Sequence, residues 1–281
     1  MNDYFKGKTA IITGGSEGVG AAVAQKMAAA GANLVLVARR RRKLEEIAKE
    51  LRRLTRVEIV TMDVIDSDAC VNLFKKAEFE FGGVHLLVNN AAFHQRGPAA
   101  TIDVEDLGRM IDVNLRAPIV LSRIALPYLR RVDRAAIVNV ASLAGRAATP
   151  NSAAYSASKF GLRVFTFALA QELADTNIKF AVVSPGPIDT GFIMSNLDVV
   201  SDLTLSQPIS TADEVADAIL ELCWNDKREQ SMPALSGLLA TASYLFPWIN
   251  RPIRPLLEAR GRTVKKHLRA KLRTARPDQT R

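Results

Sequence analysis

Short, nearly continuous apolar runs rich in Val, Ile and Leu alternate with longer stretches of helical period along most of this chain. The apolar runs at Thr9–Thr13, Asn33–Ala38, 57–62, 86–90, 136–141 and 179–184 predict strands. Between them, apolar residues three and four positions apart predict helices near 18–31, 41–54, 67–81, 103–131 and 152–176. Strands that are apolar on both faces, rather than alternating, belong in a parallel sheet covered on both sides. Repeated strand–helix–strand units then predict an α/β, doubly wound, mostly parallel sheet that offers ligands the carboxyl ends of its strands. A helix near 211–225 closes the pattern, and 228–232 reads as a poor strand. No linker is visible before about residue 227. The expectation is a single domain over 1–230, followed by a C-terminal helical extension over 231–281 that is first apolar and then basic.

The chemistry-bearing residues cluster at the predicted strand ends. The first strand runs into Thr13-Gly14-Gly15-Ser16-Glu17-Gly18-Val19-Gly20 and then a helix. Glycines permit a tight turn and close backbone approach, and the helix N-terminus offers free N–H groups to a pyrophosphate. The second strand ends in Arg39 and Arg40, where a NAD site would carry an acid for the ribose 2′-hydroxyl. An arginine there suits a 2′-phosphate, so NADP(H) is expected, with Arg39 the first choice and Arg40 the second. Asp63 ends the third strand and reads either as an acceptor for an adenine amino group or as a helix N-terminal carboxylate. Asn89-Asn90-Ala91-Ala92 supplies small residues after the fourth strand. Asn114 sits within a long predicted helix, which predicts either a solvent-facing side chain or a distorted turn that holds a water. Ser142 follows the fifth strand, and Pro185-Gly186-Pro187-Ile188-Asp189-Thr190 makes a rigid turn after the sixth.

Tyr155-Ser156-Ala157-Ser158-Lys159 opens the helix near 152–176. Side chains four apart share a helix face, roughly 6 Å apart along the axis. An ammonium beside the phenol would favour the phenolate, and lowering it by about three units takes roughly 4 kcal/mol of differential interaction. The pair reads as a general acid for a substrate oxygen. The spacing alone is weak, since Tyr4 and Lys8 repeat it.

Thr13-Gly14-x-x-x-Gly18-x-Gly20, Asp63, Asn89-Asn90-Ala91, Asn114, Ser142, Tyr155-x-x-x-Lys159 and Pro185-Gly186 together resemble the short-chain dehydrogenase/reductase family, over residues 6 to about 225. The resemblance implies a Rossmann-type fold, a homodimer or homotetramer, and hydride transfer between NADP(H) and a carbonyl or alcohol carbon. It implies that Tyr155 protonates the carbonyl oxygen and that Lys159 lowers the Tyr155 pKa and holds the nicotinamide ribose. Ser142 would orient the same oxygen, and Asn114 would support a proton-relaying water. Gly14, Ser16, Gly18 and Gly20 would line the pyrophosphate, Asp63 and Val64 the adenine, Asn90 the adjacent ribose, and Ile188 and Thr190 the nicotinamide. Ala92 replaces a glycine common in the family, and the family's frequent Asp-Gly-Gly ending is missing. The substrate is therefore what the resemblance determines least. An apolar, fairly bulky small-molecule carbonyl or alcohol is expected. The alternatives are a lipid-linked ketone, ketosphingoid or 3-ketoacyl, reduced at a membrane surface, and a non-catalytic NADP-binding scaffold.

Charge changes the picture only at the end of the chain. The net charge is +9, and from Arg251 onward eleven Lys/Arg against two acids give 11 − 2 = +9, so the preceding body is neutral. Val264, Leu268 and Leu272 recur at every fourth position among Lys265, Lys266, Arg269, Lys271 and Arg273, which predicts a basic amphipathic helix. Three readings stay open. It packs on its own domain or on a second subunit as a substrate lid or oligomer contact. It lies peripherally on a membrane through 244–273, where each cation contributes ~1 kcal/mol. Or it meets nucleic acid, for which no motif is present and no partner is expected. Residues 274–281 read as disordered. Cys70 and Cys223 lack metal or redox spacing, and no signal peptide is visible, so a cytoplasmic location is expected. His85, His94 and His267 share no ligand spacing and no metal is expected; His94, just past Asn89-Asn90-Ala91-Ala92, reads first as a solvated loop residue and second as a residue lining the pocket mouth.

Overall fold

The computed structural model describes residues 2–194 and 197–274. Seven strands form one sheet: β1 (Thr9–Thr13), β2 (Asn33–Ala38), β3 (Val57–Thr61), β4 (Leu86–Asn89), β5 (Ala135–Val140), β6 (Ile178–Pro185) and β7 (Glu229–Met232). Their order is β3-β2-β1-β4-β5-β6-β7, and every pairing is parallel. The helices are α1 (Asn2–Phe5), α2 (Gly18–Ala29), α3 (Arg41–Leu51), α4 (Ser67–Phe81), α5 (Val104–Ile111), α6 (Ala117–Leu129), α7 (Ala153–Glu172), α8 (Gly191–Met194), α9 (Asp202–Leu205), α10 (Ala212–Trp224), α11 (Ala234–Leu245) and α12 (Asn250–Thr274). The doubly wound, Rossmann-type expectation is met.

The apolar strands explain the layering. In β2, Leu34 and Leu36 face the layer built with α2, α3 and α10, while Val35 and Val37 face the layer built with α4 and α6. Each strand is therefore covered on both sides, as its unbroken apolar run requires. The strand order reverses between β1 and β4, and ligand clefts open at such switch points.

Two elements differ from the sequence expectation. The long helix over 103–131 is split: α5 and α6 are joined by a π-helical turn, Asp112–Arg116, centred on Asn114. The poor strand at 228–232 does form, as β7, despite its polar sequence Glu-Gln-Ser-Met. Its half-buried Glu229 takes a fork of hydrogen bonds from Arg163 at 2.7 and 2.9 Å, one from Arg146 Nε at 3.1 Å and one from Ser184 Oγ at 3.2 Å. Burial pushes this carboxyl up, but the two guanidiniums outweigh burial and hold it below its ordinary value. Periodicity cannot register a strand fastened by ion pairs.

Beyond β7 the chain doubles back. Val264 and Leu268 of α12 pack on a small cluster of Ile193, Leu197, Val200 and Leu205. Lys265 Nζ donates to the carbonyls of Asp198 (2.9 Å) and Val200 (2.7 Å), and Arg269 Nε to the Asp198 carboxylate at 2.9 Å. The apolar stripe of the basic helix is thus used inside the chain. The side chains of Lys271, Leu272 and Arg273, and the tail 275–281, lie outside the described residues. Among the described residues, no helix is long and apolar enough to cross a membrane.

Candidate active site

A cleft of about 900 Å³ runs along the carboxyl ends of the strands, within the size range of ligand pockets. Its floor is the glycine turn after β1. Gly14 has φ +66°, and a Cβ there would lie 2.8 Å from the Asn90 amide nitrogen; one on Gly20 would lie 2.2 Å from the Gly14 carbonyl oxygen. The turn is pinned to the end of β4. Asn90 Nδ2 donates to the Thr13 carbonyl at 2.9 Å, and Thr13 Oγ1 accepts from the Asn90 and Ala91 amides at 3.0 Å each. Asn90 lines the cleft, but its amide fastens the turn.

Ser16, Gly18, Arg39, Arg40, Asp63 and Val64 line the same end. Arg40 and Lys43, a lining residue missed in the sequence, are both paired to Glu17 of the glycine turn. Arg39 is exposed and makes no ion pair with a described residue. Asp63 pairs with Arg109 at 3.0 Å. The cap of α4 is Asp66, which accepts from the Ala69 amide at 3.0 Å, so the reading of Asp63 as a helix-capping carboxylate is wrong. The rigid turn after β6 brings Ile188 and Thr190 to the wall.

Ser142, Tyr155 and Lys159 meet midway along the cleft. Ser142 ends β5 and caps a short turn by accepting from the Ala144 amide at 3.1 Å. That turn packs so closely on α7 that a Cβ at Gly145 would lie 2.7 Å from the Lys159 carbonyl oxygen. α7 itself is tied to the sheet by a buried polar ladder: Asn89 Nδ2 donates to Asn139 Oδ1, and Asn139 Nδ2 to Thr166 Oγ1, each at 2.8 Å. Lys159 is buried, with Nζ 5.8 Å from the Tyr155 ring centroid and donating to the Val140 carbonyl at 2.8 Å.

The electrostatics differ from the expected pair. Burial pushes Lys159 down to about 7, so at neutral pH it holds only part of its charge. The Tyr155 phenol is pushed above its ordinary value by burial, and the neighbouring Ser142 hydroxyl and Arg96 guanidinium pull against that rise. The cation that pulls the phenol down in this arrangement is Arg96. Asn114 is fully buried behind the wall, as Gly20 is, rather than in it. Its Oδ1 accepts from the Phe93 amide at 2.8 Å, and its Nδ2 donates to the Phe93 carbonyl at 2.8 Å and to Ser158 Oγ at 3.2 Å. The distorted turn was legible; the clasp on the 93–97 loop was not.

That loop carries Arg96, which the sequence reading missed, and His94, which it set at the pocket mouth only as the second choice. His94 stacks on Tyr155, with centroids 3.9 Å apart and planes 11° from parallel. Both of its ring nitrogens are buried without a hydrogen-bond partner, and burial pushes its pKa down to about 3. It is a neutral wall of the cleft, not a solvated loop histidine. Arg96 lies over the Phe192 ring at 5.2 Å and donates to the Phe192 carbonyl at 3.3 Å. No local pattern marks either residue.

The family model described as short chain dehydrogenase matches residues 8–198, the span that holds the glycine turn, Ser142, Tyr155 and Lys159. The chain belongs to the short chain dehydrogenase family. It is 35% identical over 185 residues to a protein of Staphylococcus epidermidis named "Uncharacterized oxidoreductase", covering 66% of this chain and 80% of that one. A similarly named Staphylococcus aureus protein is 33% identical over 183 residues, 65% of this chain and 79% of that one. As a short chain dehydrogenase, this protein is an oxidoreductase that uses a nicotinamide cofactor.

Proposed function

We propose that this short chain dehydrogenase is an NADPH-preferring carbonyl reductase acting on an apolar, fairly bulky ketone or aldehyde, with Tyr155 as its general acid. The convergence of Ser142, Tyr155 and Lys159 in the cleft whose other end is the glycine turn carries this reading. The chain fits the cofactor: Gly14 and Gly20 let the turn pack against itself and the end of β4 where any Cβ would clash, which leaves Gly14, Ser16 and Gly18 on the cleft wall at the start of α2, and Arg39 is an exposed cation at the end of β2 with no ion pair among the described residues. Gly14, Ser16 and Gly18 would hold the pyrophosphate, Arg39 with Arg40 and Lys43 the 2′-phosphate, Asp63 and Val64 the adenine, and Ile188 and Thr190 the nicotinamide. Bound NADPH supplies the hydride.

The remaining steps belong to the chain's own side chains. Ser142 donates a hydrogen bond to the substrate carbonyl oxygen and orients it. Burial keeps Tyr155 protonated at neutral pH, which is the form that delivers a proton to that oxygen as it becomes an alkoxide. Lys159, in its protonated form, stabilises the phenolate left behind. Stacked His94 stays neutral, fixes the phenol's plane and excludes water from one side. Asn114 holds the 93–97 loop that carries His94. The apolar substrate is supported by the outer cleft, where Leu143, Phe192, Val199, Leu239 and Leu257 form much of the lining.

The test is a panel of apolar ketones and aldehydes, read as NADPH oxidation alongside NADPH binding. Turnover of at least one substrate is expected. NADPH binding with no turnover across the panel would instead support a non-catalytic scaffold.

A further inference from the structure

The α11–α12 elbow is built inside out. On α11, Leu235, Leu238 and Leu245 lie on one helical face at 66%, 67% and 61% exposure, and Phe246 follows at the helix end at 49%, while Ser236 is buried and Gly237 sits against Ser231 of β7. A water-facing helix normally buries its apolar stripe and exposes its small and polar residues. The inversion continues through Trp248 (69% exposed) into Leu256 of α12 (73%). Among the described residues, nine of the 17 large exposed hydrophobics fall between 235 and 256, so the exposure is one patch, not scatter.

We infer that this elbow seats the protein on the surface of an anionic lipid bilayer and turns the cleft mouth towards the lipid, so that a membrane-resident carbonyl compound enters from that side. The seating stands on the surface alone; the identity of the entering compound rests on the reductase reading above.

Three features select lipid as the occupant. Tyr244 and Trp248 bring amphipathic rings to the patch, the residue types that settle at the headgroup level, and Phe246 adds an apolar ring beside them. Arg260 continues the helix face of Ile253 and Leu256, and Arg260, Arg262 and Lys266 are exposed without an ion pair to any described residue. They belong to the segment from Arg251 that carries the chain's whole +9. A two-fold contact with a second copy would bring two such basic segments into one interface, whereas anionic headgroups complement them. Finally, Leu239 and Ile253 belong both to the exposed patch and to the cleft lining, so the patch and the substrate entrance are continuous. The elbow, rather than the Val264–Leu268 stripe packed inside the chain, is the lipid-facing surface.

The experiment is co-sedimentation of the full chain with vesicles of phosphatidylcholine, with or without phosphatidylglycerol. The wild type pellets with the anionic vesicles, several-fold less with neutral ones, and less as salt rises. Leu245→Glu/Trp248→Glu, at exposed positions outside the cleft, lowers the bound-to-free ratio about tenfold or more. That variant keeps its thermal unfolding and its NADPH affinity. Arg260→Glu/Arg262→Glu weakens binding to anionic vesicles and not to neutral ones. Tyr155→Phe pellets as the wild type does, which separates the seating from the chemistry. A wild type that stays in the supernatant with anionic vesicles overturns the inference, as does unchanged pelleting of Leu245→Glu/Trp248→Glu. So does a wild-type dimer that this double variant dissolves while neither protein binds vesicles.

Discussion

The same four-residue spacing occurs twice in this protein and does two different things. Tyr4 and Lys8 lie by the amino edge of the sheet. The Tyr4 hydroxyl donates to the Cys223 carbonyl at 2.9 Å, and the Lys8 ammonium sits 3.5 Å from the centre of its partner's ring. Burial holds that phenol up at about 12, and neither residue lines the cleft. Tyr155 and Lys159 lie at the carboxyl edge, where the strand order reverses, facing a cleft with Ser142 beside them. In the first pair the polar atoms are satisfied and closed off; in the second the phenol faces space that a substrate can fill. Spacing is shared, so position on the sheet decides which pair faces the cleft.

Removing one hydroxyl at a time breaks the comparison most sharply. Tyr155→Phe is expected to lower kcat by about a thousandfold while leaving NADPH affinity unchanged, which steady-state rates and fluorescence titration check. Next in size is Glu229→Gln, which leaves two guanidiniums facing a neutral amide under β7. It should cost about 3 kcal/mol in urea unfolding. Arg39→Asp should shift cofactor preference from NADPH towards NADH by about a hundredfold, as a charge-assisted contact becomes a repulsion. An unchanged ratio would mean that Arg40 or Lys43 holds the 2′-phosphate.

Acid stability separates the loops rather than the pairs. His94 takes a proton near pH 6.5 when unfolded and only near 3 when stacked and buried, so between those values the unfolded chain binds the extra proton. Stability therefore falls as pH drops through that window, by on the order of 2 kcal/mol at pH 5. His94→Phe should flatten this component of the pH–stability curve. The smallest effect belongs to the amino edge: Tyr4→Phe should cost about 1 kcal/mol of stability and leave kcat untouched.

What could be read in advance follows the range of the interactions that made it. β1 to β6 are local apolar runs, and the glycine turn, Ser142 and the Tyr155 helix are each written within a few consecutive residues. β7 depends on Glu229 meeting Arg146 and Arg163, far away in the chain. The stacking of His94 arises only when the 93–97 loop closes over α7, and the burial that lowers Lys159 only when α7 packs on the end of β5. On α11 the pattern itself misleads, because a stripe of apolar residues predicts the buried face and here marks the exposed one.

Hydride delivery beside Tyr155 is tested most directly by a single turnover with NADPH deuterated at its transferable position and a ketone accepted in the panel. The account predicts deuterium on the new carbinol carbon of the product with the wild type, and unreacted ketone over the same interval with Tyr155→Phe still saturated with cofactor. Alcohol formed without the label, or formed equally fast by Tyr155→Phe, would contradict it.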